Sequence, residues 1–181
     1  MLNSLKTGAL LTSQPLIGDP YFDQSLVYLS SYGATGAMGF TLNKPSSLYL
    51  EDFIENVPAK IPVYLGGPVE GDSLFYMHRL PQLSEAVALA DNLYLGGNFE
   101  ELLALLRIGD LANSIKFFLG YSGWAAGQLE AEVEDETWIV SDVPAALDLV
   151  QMSANGWRQR MLTLGGDYSL WANSPEDPNW N

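Results

Sequence analysis

The order of predicted elements points to an α+β domain built on a mixed β-sheet. Two observations carry this reading. Short apolar runs bounded by Gly, Pro, Asn or Asp outnumber helical patterns. The helices also fall between them without the strict alternation that a doubly wound parallel sheet requires. At 181 residues the chain is the size of one domain with a substantial core.

Taken in order, Ala9-Leu10-Leu11-Thr12 reads as the first strand. Leu26-Val27-Tyr28-Leu29 and Met38 to Leu42 read as a hairpin around Gly33-Ala34-Thr35-Gly36. The surrounding stretch from Gln24 to Asn43 is uncharged and long enough to span a bilayer, but its Ser, Thr and Gly content excludes a lipid-facing helix. A short helical patch around Leu50 to Asn56, ended by Pro58, precedes strands at Val63 to Leu65, Leu74 to Met77 and Ala86 to Ala90. Asn98 as cap, Glu100 and Glu101 in the first turn, a stripe of Leu102, Leu103, Leu105 and Leu106, and Gly109 as stop define a helix. Ile115 to Leu119 is the next strand, and a second helix is expected from near Trp124 through Val133. Thr137 to Val140 is a strand. A third helix is expected from Asp142 to Val150 with Pro144 in its first turn, resuming from Trp157 to Leu164 after Asn155-Gly156. Residues 1–171 form the expected domain, and 172–181 a polar, Pro-containing tail.

Charge narrows the function classes. Eight Lys and Arg against 22 Asp and Glu give a net charge of −14. Residues 91–181 hold 14 of the acids and 4 of the bases, with the densest run at Glu130, Glu132, Glu134, Asp135 and Glu136. That run suits either a hard cation or a solvated helix end. So negative a chain repels phosphates, which weighs against direct nucleic-acid or anionic-membrane binding. The absence of cysteine excludes disulfides, thiol nucleophiles and thiolate metal sites, and a single histidine excludes a multi-histidine centre. The N-terminus lacks a signal-peptide core, so a cytoplasmic protein is expected. Nothing in the sequence fixes an oligomeric state.

Candidate chemistry is sparse. Gly120-Tyr121-Ser122-Gly123-Trp124 superficially resembles a nucleophile elbow, but Trp124 stands where the elbow needs glycine. His78 is either a general base or a strand-end histidine bonded to a neighbouring loop. Gly66-Gly67-Pro68-Val69 reads as a tight turn, since Pro68 removes an N–H that an anion would need. Asn43 and Lys44 stand at a strand exit, presenting an amide and an ammonium to a cleft or capping the turn.

Assembled, the chain resembles the AlgH (YqgE) family of bacterial proteins over roughly residues 7 to 165. The resemblance is carried by Gly8-Ala9-Leu10-Leu11, Gly18-Asp19-Pro20-Tyr21-Phe22, Leu42-Asn43-Lys44-Pro45, Gly66-Gly67-Pro68-Val69 and His78. Gly120 to Trp124, Gly127-Gln128-Leu129-Glu130, Glu132, Trp138 and Trp157-Arg158 complete it. Where the family usually has Gly-Tyr-Ala-Gly-Trp, this chain has Ser122, so that serine is not an obligatory nucleophile. A Glu-His pair common in the family is Ser31-Tyr32 here. The resemblance implies a strongly curved, partly barrel-like mixed sheet flanked by helices, a transcriptional-regulator label, and no established reaction or cofactor.

The expectation is therefore a non-catalytic regulatory or interaction protein acting through a protein partner or small ligand, with any effect on transcription indirect. The residues expected to share its surface or pocket are Asn43, Lys44, Gly66, Gly67, His78, Tyr121, Trp124 and Gln128. The alternative is an enzyme acting on a small metabolite, with His78 or the carboxylates of Glu130 and Glu132 as acid and base. Convergence of His78, Asn43 and Gln128 on one pocket would favour it.

Overall fold

The structure, a computed structural model, describes residues 5–57 and 60–174. It is the α+β arrangement the sequence predicts. Strands β1 (Leu10–Ser13), β2 (Leu26–Gly33), β3 (Gly36–Thr41), β4 (Pro45–Tyr49), β5 (Pro62–Leu65) and β6 (Val69–His78) come first. They are followed by β7 (Val87–Ala90), β8 (Leu93–Leu95), helix α1 (Phe99–Ile108), β9 (Ile115–Ala125), α2 (Gln128–Glu134), β10 (Trp138–Ser141), α3 (Gly156–Leu164) and α4 (Tyr168–Trp171). The strands form one ten-stranded sheet in the order β10-β1-β2-β3-β9-β6-β8-β7, with β4 and β5 branching from β9. Pairing is antiparallel except for β5 against β9, so the sheet is mixed, and it does not close into a barrel.

Strand β9 is the spine. Its first half lies between β5 and β6, and its second half pairs with β3, Gly36 opposite Ala125 and Gly39 opposite Ser122. The exchange of one neighbour for another happens at Gly66. Its N–H donates to Leu119 and its carbonyl accepts from the Thr41 N–H and the Ser122 hydroxyl. Three backbones meet there too closely for side chains. A Cβ at Gly66 would stand 2.2 Å from the Gly120 oxygen, and one at Gly120, where φ is +66°, 2.6 Å from the oxygens of Gly67 and Val69.

Alternation along the strands distributes apolar side chains to separate packing layers. Leu10, Tyr28, Phe40 and Phe118 pack with Trp157 and Met161 of α3. Val63 and Phe117 pack with Leu102 and Leu106 of α1. Leu11, Val27 and Leu29 pack with Trp124, Leu129 of α2 and Trp138. Helix α1 begins as expected, its Asn98 side chain accepting the Glu101 N–H.

Two helical expectations are corrected. The segment 142–155 is not helical. Asp148 accepts the N–H groups of Val150 and Gln151 and binds Arg79 through both carboxylate oxygens, holding an irregular loop whose leucines still reach the core. Trp124 belongs to β9 rather than to a helix, because it pairs with Ala37. The helix starts only after Gly127, whose φ of +79° turns the chain. Strands β4 and β8 were not expected. At the C-terminal end, Ala172 is buried and the Ser174 carbonyl accepts from Gln24. The rest of the expected tail, 175–181, lies outside the described residues.

Candidate functional site

The last residues of β9 and the first turns of α2 build a cleft of about 380 Å³. Its centre is Glu132. One carboxylate oxygen, Oε2, accepts both the Trp124 and the Trp138 indole N–H at 2.8 Å. The other, Oε1, accepts the Gln128 side-chain N–H at 2.9 Å. Gln128 in turn receives the Ala125 N–H on its amide oxygen, so strand end, helix and carboxylate are tied in one network. The Gln128 and Glu132 pair is one helical turn apart and shares a face of α2. Phe22 stacks on Trp124 at 6.1 Å and meets Trp138 edge-on at 5.4 Å. Asp19, whose Oδ1 accepts the N–H groups of Tyr21 and Phe22, also lines the cleft with Ile17 and Pro68. The lining holds two carboxylates and no Lys, Arg or His. Such a site offers negative charge beside aromatic rings, the combination that attracts an ammonium or guanidinium group.

A second, shallower cleft of about 400 Å³ shares Gly123 and Trp124 with the first and is lined by Tyr121, Val69 and Met38. Outside both, Glu130 accepts the Tyr32 hydroxyl at 2.7 Å, which holds its carboxyl below the usual range. Tyr32 thus ties the end of β2 to the acidic helix α2. Among the described residues, no group of three or more His, Asp or Glu side chains is placed to hold a metal ion.

The eight expected residues separate. Tyr121, Trp124 and Gln128 border the two adjoining clefts, and Gly66 and Gly67 pack against the backbone of Gly120 and Tyr121. Asn43 is buried elsewhere, its amide joining the Leu26 N–H to the Gln24 carbonyl, while the Lys44 carbonyl accepts from Leu65. His78 is fully buried. Its Nε2 lies 2.7 Å from the Gly96 carbonyl, which only accepts, and its Nδ1 accepts the Leu80 N–H. Those partners define a neutral imidazole with its proton on Nε2. Burial lowers its pKa, opposed by the Gly96 bond. Ser122 is likewise buried, spending its hydroxyl on Gly66.

The family model described as AlgH-like matches residues 10–169. The chain belongs to the AlgH-like family. Among its relatives, a Cytophaga hutchinsonii protein named UPF0301 protein is 39% identical over 181 residues, covering 98% of this chain and 100% of the relative. One from Bacteroides thetaiotaomicron under the same name is 35% identical, covering 96% and 90%. The solution structure of the AlgH protein from Pseudomonas aeruginosa superposes with a TM-score of 0.72 at 30% identity, covering 97% of this chain and 98% of that one. A crystal structure from Corynebacterium diphtheriae, at 21% identity, has the same fold, with a TM-score of 0.77 and coverage of 96% and 94%. Of the residues around this cleft, Asp19, Phe22 and Trp138 fall outside the expected set, because they lie in the β1–β2 connection and in β10, far in sequence from Trp124 and Gln128. For Asp19 and Phe22 the only early signal was the Gly18-Asp19-Pro20-Tyr21-Phe22 motif.

Proposed function

We propose that this AlgH-like chain is a non-catalytic interaction protein that receives a cationic group, supplied by a basic partner, in the cleft around Glu132. One observation carries the reading: a carboxylate fixed by two indole N–H groups and an amide, in an aromatic cleft without a cation of its own. Fixing the carboxylate beforehand lowers the ordering cost of binding, and the surrounding negative charge speeds encounter with a basic surface. The acid–base alternative has less support, because His78, Asn43 and Gln128 lie in three different surroundings and His78 has both nitrogens engaged. Any influence on transcription is then indirect, through the partner.

The test is titration with a lysine-rich peptide and its fully acetylated counterpart, read by tryptophan fluorescence. Saturable binding of the first, weakened about tenfold or more in Glu132→Gln and Asp19→Asn, is the expected result. Equal response to both peptides, or salt-sensitive sub-micromolar affinity for duplex DNA instead, would count against it.

A further inference from the structure

The cleft around Glu132 does not end at Thr137. Ile17 and Thr137 also line a larger neighbouring cavity of about 890 Å³, set between the segment that follows β1, the turn after α2 and the α3–α4 turn. The two cavities therefore form one groove. Asp135, Glu136 and Asp167, all exposed, line the larger part. Its lining holds no Lys, Arg or His, and among the described residues none of these three carboxylates is in an ion pair.

The helix ends point the same way. Helices α2 and α3 both bring their C-terminal ends to this cavity, α2 at Asp135 and α3 at Leu164 and Gly165. The carbonyl end of a helix carries partial negative charge and favours a cation. Neither helix has a basic residue in its last turn, and Asp135 and Glu136 follow α2 directly. Negative charge thus accumulates where the chain supplies nothing to offset it. Apolar surface accompanies it, because Leu16 is 45% exposed and Trp171 41% exposed at the same cavity. An inorganic cation leaves those two side chains uncovered, whereas a peptide with an apolar residue beside its cations covers them. Only Ile17 and Thr137 are common to the two linings. That waist suits one extended strand of chain and not a helix about 10–12 Å across.

We infer that the groove holds an extended peptide segment of the basic partner. One cationic side chain lies at Glu132 and Asp19, a second among Asp135, Glu136 and Asp167, and an apolar side chain covers Leu16 and Trp171. This rests on the reading of the Glu132 cleft given above and names what enters it.

The probes are blocked peptides with one lysine beside a leucine, or with two lysines flanking it at several spacings, together with spermidine. Each is titrated into the whole chain and followed by the indole N–H resonances. The best two-lysine peptide should bind about fivefold or more tighter than the one-lysine peptide, and should shift the Trp171 indole together with those of Trp124 and Trp138. Glu136→Gln combined with Asp167→Asn should remove most of that gain, whereas Glu132→Gln should weaken both peptides. A gain that survives the Glu136→Gln, Asp167→Asn pair, a Trp171 resonance that stays fixed, or spermidine binding as tightly as the two-lysine peptide would overturn the inference and leave the Glu132 reading standing. A Glu132→Gln chain that binds both peptides as before would overturn that reading and this one with it.

Discussion

His78 and Lys116 illustrate how burial fixes the chemistry of single groups. His78 has a folded pKa below its ordinary 6.5, caused first by desolvation. Between the two values the unfolded chain binds the proton and the folded chain does not. Stability therefore falls as pH drops below about 6.5, levelling out once the folded imidazole is also charged. Urea midpoints at pH 7.5 and 5 should show this loss, and His78→Gln should lack its histidine share. Lys116 was not singled out in the sequence. It is a charge in a run of apolar strand residues, yet it is buried. Its Nζ donates to the Met152 carbonyl at 2.6 Å and lies 3.4 Å from the Tyr64 ring centre. Desolvation, opposed by Asp148, brings its pKa down to about 7. The unfolded side chain keeps its proton up to about 10.5, so stability rises with pH across that window, and the full cost of the buried charge is present below it. Lys116→Met should flatten the rise between pH 7 and 10 in urea midpoints. An unchanged slope would show that the ammonium reaches water.

At the scale of elements, the crossing of β9 with the Gly66-Gly67 turn is the least forgiving junction. Gly120→Ala places a methyl group 2.6 Å from two carbonyl oxygens at a φ of +66°, so a loss of about 3 kcal/mol or failure to fold is expected in urea unfolding. Gly71→Ala, with open space around it, should be close to neutral. Eight of the ten strands and the capped helix α1 were legible, because alternation and an Asn cap are local signals. Strand β4 escaped because Pro45, Ser46 and Ser47 lack β propensity and pair only through β5. The 142–150 pattern looked helical, but Asp148 is engaged by Arg79 and by its own following N–H groups, a tertiary preference that spacing does not reveal. The candidate cleft was half legible. Trp124, Gln128 and Glu132 sit within one stretch, whereas Trp138 arrives through the pairing of β10 with β1, and Phe22 from the β1–β2 connection meets both indoles only in the fold.

For the whole molecule, the net charge of −14 and the cleft argue in the same direction. Most of the excess acid belongs to residues 91–181, the half that contributes Trp124, Gln128, Glu132 and Trp138. Association with a basic partner should then slow and weaken as ionic strength rises, because exposed charges separated by more than ~10 Å are largely screened at 0.1 M salt. Stopped-flow binding at low and high salt checks this, with a change confined to the dissociation rate as the contrary outcome. The most direct measurement follows the Trp124 and Trp138 indole N–H resonances while a lysine-rich peptide is added. A cationic group at Glu132 shifts both resonances in a saturable manner, and acetylation of the peptide abolishes the effect. Indole resonances that stay fixed while the peptide binds elsewhere would contradict the assignment of this cleft.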